Sequence, residues 1–195
     1  MAYETEMKAW VDDWQAVELH LRERLEFNRA FTKRDRYYAS PDALAAQRED
    51  GEDSRLSSRP PSGPTFRLRS DGDHCVVTFK AKSVRSGMEF NLEHEFSVDD
   101  GEAFHTFATH IGFSQDAQKV KHGLSFSDGD LHVELVEIEG LGAFLEVEFV
   151  HDDGDEELHA EAGSRIREVL RIAGIPDSRV EPRPYNQLLR ERPAT

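Results

Sequence analysis

The chain has 195 residues, which is within the size range of one domain and long enough to bury a core. Its 39 acidic residues against 24 basic ones give a formal net charge of -15, which disfavours binding to nucleic acid and to anionic membranes. A single cysteine, Cys75, excludes an internal disulfide, and no apolar run is long enough for a transmembrane helix, so we expect a cytoplasmic protein.

The first part of the chain predicts a strand, a helix and a polar insertion. Residues 3–11 alternate between two kinds of side chain, which is typical of a strand. A helix capped by Asp12 or Asp13 follows, and residues 36–38 predict a short strand. Residues 39–63 are rich in Ser, Pro, Asp and Gly, which predicts a flexible insertion with a helical turn at 41–47, inside one domain that spans residues 1–195.

Strands dominate the rest of the chain. The predicted strands are residues 65–70, 75–82, 89–98, 118–126, 131–138 and 144–150. Asp99, Asp100 and Gly101 open a helix that ends at Gly112, and a last helix is predicted from about Asp155 to Ala173, with Gly174 as its C-cap.

Charged residues recur two positions apart on the predicted strands, mostly in pairs of like charge. These sets are Glu4/Glu6 with Lys8, Arg67/Arg69, Lys80/Lys82, Glu93/Glu95, Lys119/Lys121 and Glu146/Glu148. Residues two apart on a strand share a face and are about 6.5–7 Å apart. The residues between them, such as Leu145 and Val147, are apolar, so most strands have one charged face and one apolar face.

Two interpretations of this pattern remain open. In the first, the charged faces are the solvated side of a half-exposed antiparallel sheet. In the second, the sheet forms a barrel with its apolar side against the helices and its charges inside, where anionic phosphates and divalent cations would neutralise them. Arg and Lys would then bind phosphoryl oxygen atoms, and Glu would supply hard oxygen ligands to a metal.

A family pattern appears in the same order along the chain. The segments are Glu4-Thr5-Glu6-Met7-Lys8, Asp35-Arg36-Tyr37-Tyr38, Arg67-Leu68-Arg69, Thr78-Phe79-Lys80, Glu93-His94-Glu95, Lys119-Val120-Lys121, the block from Gly140 to Glu148, and Pro184-Tyr185-Asn186-Gln187-Leu188-Leu189. With these segments the sequence resembles the triphosphate tunnel metalloenzymes, also called the CYTH superfamily, over residues 3–189.

The resemblance implies an α+β fold, in which an eight-stranded antiparallel β-barrel, the triphosphate tunnel, is packed with helices outside. It also implies Mg²⁺ or Mn²⁺ as the cofactor. Carried over residue by residue, the metal-binding carboxylates are Glu4, Glu6, Glu146 and Glu148, and the triphosphate-binding cations are Lys8, Arg67, Arg69, Lys80, Lys82, Lys119 and Lys121. Lys8 and Lys80 are the expected catalytic residues.

The sequence departs from the family pattern at two positions. Val136 stands where the family usually has Asp, four residues before the Gly-Leu-Gly block. Glu134 lies two residues earlier on the same strand face and is the expected substitute metal ligand. Lys121 stands where Arg is usual, which keeps the positive charge but removes the bidentate hydrogen bonding of a guanidinium.

Three functions fit the resemblance. The ends of the chain resemble the class IV adenylyl cyclase branch, which implies conversion of ATP to cyclic AMP and pyrophosphate. The alternative is hydrolysis of tripolyphosphate, thiamine triphosphate or a nucleoside triphosphate, and a second alternative is a triphosphate- or polyphosphate-binding module with little turnover. The expected partner is ATP or tripolyphosphate, and the resemblance allows either a monomer or a homodimer.

The histidines are expected to have structural or surface roles. None of the nine pairs with another at a helical spacing of four with a third ligand nearby. His122, next to Lys121, is expected to point away from the charged face by strand alternation.

Overall fold

The computed structural model describes residues 3–49, 65–85, 88–151 and 156–191. The strands are β1 (Tyr3–Trp10), β2 (Glu26–Ala39), β3 (Thr65–Asp71), β4 (His74–Arg85), β5 (Met88–Val98), β6 (Ser114–Asp128), β7 (Leu131–Ile138) and β8 (Gly142–His151). The helices are α1 (Trp14–Arg24), α2 (Pro41–Glu49), α3 (Gly101–His110), α4 (Glu156–Ile172) and α5 (Tyr185–Arg190), with a short 3₁₀ helix at Asp177–Arg179.

The eight strands form one sheet in the order β1-β8-β7-β6-β2-β3-β4-β5. The neighbouring strands whose register the structure describes all pair antiparallel. The order begins at β1 and ends at β5, and no ladder joins these two strands within the described ranges. The predicted α+β class with an eight-stranded antiparallel sheet is confirmed, although the sheet is not strictly closed edge to edge.

The chain divides into two compact units, and the first comprises residues 1–32 and 120–195. Its core lies on the apolar face of β1, β7 and β8, where α1 and α4 cover it. Leu145 and Val147 have no exposed surface, and neither do Leu21 of α1 and Ile166 of α4. Burying aliphatic side chains of this size stabilises the fold by about 1.5–3 kcal/mol each. Asp13 caps α1 as predicted, because its carboxylate accepts a hydrogen bond from the amide of Ala16.

The second unit comprises residues 33–119. Its smaller core joins Tyr38, Leu68, Val77 and Ala108, and the ring of Phe66 stacks on Tyr38 with a centroid distance of 4.7 Å. These side chains fix the apolar face of β2, β3 and β4, so that the residues between them face the other way.

Two strands begin well before the positions that the sequence predicted. The short strand predicted at residues 36–38 is the end of β2, which begins at Glu26, and β6 begins at Ser114 rather than at residue 118. The opening residues of both strands are mostly exposed on both faces, so they lack the alternation by which a strand is recognised.

The predicted helical turn at residues 41–47 is confirmed as α2. Most of the flexible insertion predicted at residues 39–63 lies outside the described part of the chain, and the single-domain organisation stays a prediction. No helix among the described residues has both the length and the apolar character needed to cross a bilayer.

Candidate functional site

The charged face of the first unit is organised in two lateral rows of side chains. The antiparallel register places Lys8 opposite Glu146 and Glu146 opposite Glu134. One step further along, Glu6 lies opposite Glu148, and Glu148 lies opposite His132. Alternation explains the placement, because these residues occupy every second position on β1, β7 and β8.

Lys121 of β6 neutralises the first of these rows. Its ammonium donates a hydrogen bond to Oε2 of Glu146 and lies 3.6 Å from Oε2 of Glu134. Lys121 and Glu134 are each 5% exposed and Glu146 is 8% exposed. Charges this deeply buried are tolerated only when they are paired. The solvated-face interpretation is therefore wrong for Lys121, Glu134 and Glu146, whereas Glu6 on the same face is exposed.

Glu6 lies in a different electrostatic environment. Desolvation raises the pKa of its carboxyl and the neighbouring charge of Glu146 raises it further, while Lys121 and Lys8 lower it only in part. The side chain retains accessible surface, but protein atoms surround the carboxyl closely enough to weaken its hydration. The positive charges of Lys8 and Lys121 therefore compensate the carboxylate of Glu6 only in part.

The donor set of the first unit fits a hard divalent cation by its chemistry. Carboxylate oxygens are the preferred protein ligands of Mg²⁺ and suit Mn²⁺ as well, and a cation beside Glu6 would supply the missing positive charge. No three His, Cys, Asp or Glu groups within the described ranges already converge at metal-binding distance.

Tyr185 of α5 packs against both lysines of this face. The centroid of its ring lies 5.3 Å from Nζ of Lys8 and 5.6 Å from Nζ of Lys121. Both distances are within the range of a cation–π interaction. Burial and the nearby carboxylate of Glu146 raise the pKa of the Tyr185 hydroxyl well above its usual range, so the hydroxyl stays protonated.

The segment before α5 is fastened to β1. The amide of Glu181 donates a hydrogen bond of 2.8 Å to the carbonyl of Lys8, and Trp10 donates from Nε1 to the Glu181 carboxylate at 3.2 Å. Arg183 donates to both carboxylate oxygens of Glu181, and these hydrogen bonds lower the pKa of Glu181 to about 2. The segment before α5 is therefore hydrogen-bonded to the strand that carries Glu6 and Lys8.

The charged side chains of the second unit surround Asp35, which has no exposed surface. Arg69 donates two hydrogen bonds to it, from Nε to Oδ1 at 2.7 Å and from Nη2 to Oδ2 at 2.9 Å. Nζ of Lys119 lies 3.3 Å from Oδ2. Burial would raise the pKa of Asp35, but the hydrogen bonds and charge of Arg69, together with Lys119 and Arg67, outweigh burial and lower the pKa well below its usual range.

Arg67 lies beside this group with part of its hydrogen-bonding capacity unused. Its Nη2 donates to Oγ1 of Thr78 at 3.0 Å, and Thr78 donates to Glu95 at 2.6 Å. The Nε of Arg67 is buried and donates to no acceptor within the described residues. A buried guanidinium N–H without an acceptor is unfavourable, because leaving it unsatisfied costs about 1–3 kcal/mol.

The structure brings together part of each predicted set. It places Glu6, Lys8, Lys121, Glu134, Glu146 and Glu148 on the charged face of the first unit, and Arg67, Arg69 and Lys119 around Asp35 in the second. The side chains of Glu4, Lys80 and Lys82 lie outside the described part of the structure. The backbone places Glu4 opposite Val150, Lys80 opposite Glu93 and Lys82 opposite Asn91.

Val136, which replaces the acidic residue of the family pattern, lies in an apolar environment. Val136 has no exposed surface and belongs to an apolar cluster with Phe31, Ile138, Phe144 and Tyr185. A carboxylate at this position would lose its hydration among apolar groups. The predicted replacement, Glu134, lies close to Lys121, and its metal-binding role stays a prediction.

Three residues of the candidate site received no role from the sequence. Asp35 was recognised only as part of a motif, because its partners lie on other strands. Tyr185 was recognised only in the closing motif of the chain. His132 is among the histidines expected to have structural or surface roles, although it is two positions before Glu134 and shares its strand face.

The chain is similar in fold to several solved structures, whereas no family model and no curated protein matches it. A candidate adenylate cyclase from Vibrio parahaemolyticus matches with a TM-score of 0.73 and 16% identity over 96% of this chain and 98% of that one. A conserved hypothetical protein from Pyrococcus furiosus matches with a TM-score of 0.71 and 23% identity over 95% and 99%. A candidate adenylyl cyclase from Hippeastrum with a dominant triphosphatase activity matches with a TM-score of 0.60 and 14% identity over 97% and 95%. The chain therefore has a CYTH-like fold.

Proposed function

We propose that this protein is a divalent-metal-dependent enzyme that acts on a triphosphate. The observation that carries the proposal is the buried Nε of Arg67, which has no acceptor among the described residues and stands beside Arg69 and Lys119. A cluster of cationic side chains with an unused hydrogen-bond donor is suited to bind a polyanion.

The residues of the second unit have separable tasks. Asp35 holds Arg69 by two hydrogen bonds and draws in Lys119, so these cations are oriented before a ligand arrives. Arg67, oriented by Thr78, offers its free Nε–H to a phosphoryl oxygen atom. Prearranged donors of this kind do not need to reorganise during the reaction, which is how enzymes stabilise charge that develops on phosphoryl oxygens.

The residues of the first unit are proposed to hold the metal. Glu6, Glu146 and Glu148 supply hard oxygen ligands, and Lys8 and Lys121 balance the carboxylates that the metal does not reach. When bound, a divalent cation would polarise phosphoryl oxygens and neutralise negative charge on the leaving group.

Our first choice of reaction is that of a class IV adenylate cyclase, in which the 3′-hydroxyl of ATP attacks the α-phosphorus and pyrophosphate leaves. Hydrolysis by water at a terminal phosphorus is the second candidate. The Hippeastrum structure favours it, since that protein of similar fold has a dominant triphosphatase activity. A binding module with little turnover is the third candidate, because Val136 stands where the family pattern has an acidic residue.

Product analysis separates the three candidates. The purified protein is incubated with Mn²⁺ and either ATP or tripolyphosphate, and the products are resolved by ion-exchange chromatography. Cyclic AMP with equimolar pyrophosphate supports the cyclase, and release of orthophosphate from either substrate supports the hydrolase. Tight binding of both compounds without turnover supports the binding module. Failure to bind either compound with Mn²⁺ present would overturn the proposal as a whole.

A further inference from the structure

Glu95 of β5 is a charged residue of the sequence pattern that has no role in the proposed function. The register places Arg67 of β3 opposite Thr78 of β4, and Thr78 opposite Glu95. Residues that lie opposite one another on neighbouring strands share a face of the sheet. The three side chains therefore form a lateral row across β3, β4 and β5.

The hydrogen bonds of this row run in one direction. Nη2 of Arg67 donates to Oγ1 of Thr78 at 3.0 Å, and Thr78 donates its only hydroxyl proton to Oε1 of Glu95 at 2.6 Å. A guanidinium can only donate, so the hydroxyl oxygen must accept from Arg67 and its proton is left for Glu95. Thr78 is 3% exposed, so its hydroxyl depends on protein groups for its hydrogen bonds.

Arg67 and Arg69 are held in different ways. Asp35 has no exposed surface and accepts two hydrogen bonds directly from Arg69. The side chain of Glu95 is 53% exposed, and its Oε1 lies 3.6 Å from Nη2 of Arg67, with the Thr78 hydroxyl hydrogen-bonded to both groups. Nε of Arg67 has no acceptor within the described ranges. The row therefore fixes Nη2 of Arg67 and leaves Nε available to a ligand.

Glu95 has two opposite effects on an anion that binds to Arg67. Its negative charge repels the anion, but solvent screens the charge of so exposed a carboxylate. Its second effect is to accept the proton of the buried Thr78 hydroxyl in a charge-assisted hydrogen bond, which is stronger than a neutral one. Without this acceptor the hydroxyl would rotate toward another one and turn its lone pairs away from Arg67. The orienting effect therefore outweighs the repulsion.

We propose that Glu95 is a positioning residue for Arg67 and acts through the hydroxyl of Thr78. The inference rests on the proposed function, because Arg67 is the group that binds the triphosphate there. Glu95 fixes the direction of the Thr78 hydroxyl, and this hydroxyl holds Nη2 of Arg67. A guanidinium that is held before the ligand arrives loses less conformational freedom on binding, so the affinity for the triphosphate is higher.

Calorimetry with tripolyphosphate and saturating Mn²⁺ tests the role of Glu95 in the full chain. Glu95→Ala should lower the affinity at least about fivefold, because the Thr78 hydroxyl loses its acceptor. Glu95→Gln should bind as tightly as the wild type within about twofold, or more tightly, because the amide oxygen accepts the same hydrogen bond without the negative charge. Glu23→Ala removes an exposed glutamate on α1 as the control and should change the affinity by less than about twofold.

Other roles of Glu95 predict different results. If Glu95 acted only by its charge, Ala and Gln would both raise the affinity. If its role were only structural, Glu95→Ala would lower the thermal stability and leave the affinity unchanged. Either result in a wild type that binds tripolyphosphate would overturn the inference and leave the proposed function standing. A wild type that does not bind tripolyphosphate with Mn²⁺ present would overturn both.

Substitutions of Thr78 test whether the effect of Glu95 passes through the hydroxyl. Thr78→Ser keeps the hydroxyl and should keep the affinity within about threefold of the wild type, whereas Thr78→Val should lower it at least about fivefold. In the Thr78→Val background, Glu95→Ala should cause no further loss, because the two residues act as a unit. A further fivefold loss in the double variant would overturn the role of Thr78. The comparison of Glu95→Ala with Glu95→Gln does not depend on the folding of Thr78→Val.

Discussion

Arg69 binds Asp35 through two hydrogen bonds of 2.7 and 2.9 Å, where Asp35 has no surface exposed to solvent. The pair joins neighbouring strands, since Arg69 of β3 lies directly opposite Asp35 of β2. The carboxylate therefore does two things at once. It compensates buried positive charge, and it orients the guanidinium that we propose for phosphate binding.

Replacing Asp35 by Asn should destabilise the protein by about 3–5 kcal/mol, because Arg69 and Lys119 would lose their buried counter-charge. Urea unfolding at neutral pH measures the loss. Asp130→Asn, at an exposed position in the turn between β6 and β7, is the matched control and should change the free energy of unfolding by less than about 0.5 kcal/mol. Equal effects of the two substitutions would show that the charge of Asp35 does not stabilise the fold through Arg69 and Lys119.

Arg67→Ala should weaken tripolyphosphate binding by about 10- to 150-fold, which corresponds to the loss of a hydrogen bond to a charged group of about 1.5–3 kcal/mol. The reason is that Arg67 has a buried Nε–H for which the described part of the protein supplies no acceptor. Isothermal titration calorimetry gives the affinity. Arg171→Ala removes the same charge from an exposed Arg–Glu pair with Glu168 on α4 and should leave the affinity within about twofold. An unchanged affinity in Arg67→Ala would exclude it from the binding site.

The amino-acid pattern predicted the faces of the sheet better than the contacts made on them. Glu146 lies between Leu145 and Val147, so alternation alone placed its side chain opposite the apolar core. The partner of Glu146 is Lys121, on a strand that is not adjacent to β8, and no local pattern encodes that contact. Register and strand order are needed to find it.

His132 and β2 show two other limits of local patterns. His132 belongs to a mainly apolar strand, and only its register opposite Glu148 brings it into the charged row. The first residues of β2 are exposed on both faces and show no period of two, although they are part of the sheet. In both cases pairing with distant strands decides the outcome, and local preferences do not.

Tyr185 should matter through its ring more than through its hydroxyl. Tyr185→Phe keeps the aromatic face beside Lys8 and Lys121, so tripolyphosphate affinity should stay within about threefold of the wild type. Tyr185→Leu removes both cation–π contacts, each of about 0.5–1 kcal/mol at exposed sites and more where the groups are desolvated, and should lower the affinity at least about 5-fold. Calorimetry compares the variants, with thermal unfolding as the check on folding. A larger loss in the Phe variant than in the Leu variant would assign the role to the hydroxyl.

Glu148→Gln should lower Mn²⁺ affinity at least about tenfold, because an amide is a poorer ligand than a carboxylate and because Glu148 lies in the proposed metal row. Titration of free Mn²⁺ by electron paramagnetic resonance measures the affinity. Glu137→Gln is the matched control, since Glu137 is exposed on β7 and faces away from Glu134 and Val136. Wild-type Mn²⁺ affinity in Glu148→Gln would exclude Glu148 as a ligand.

The raised pKa of Glu6 predicts a pH dependence of stability in the metal-free protein. Between the ordinary value of about 4.3 and the higher folded-state value, the native state binds more protons than the unfolded state. The contribution of Glu6 is therefore most favourable at low pH and is lost as the pH rises through the folded-state pKa.

With EDTA present, Glu6→Gln should be more stable than the wild type at pH 7, and this advantage should disappear below about pH 4. Urea unfolding at both pH values checks the sign, and saturating Mn²⁺ should reverse the order at pH 7, because the wild-type carboxylate then has its counter-charge. A wild type that is more stable than Glu6→Gln at pH 7 in EDTA would show that Lys8 and Lys121 already compensate Glu6.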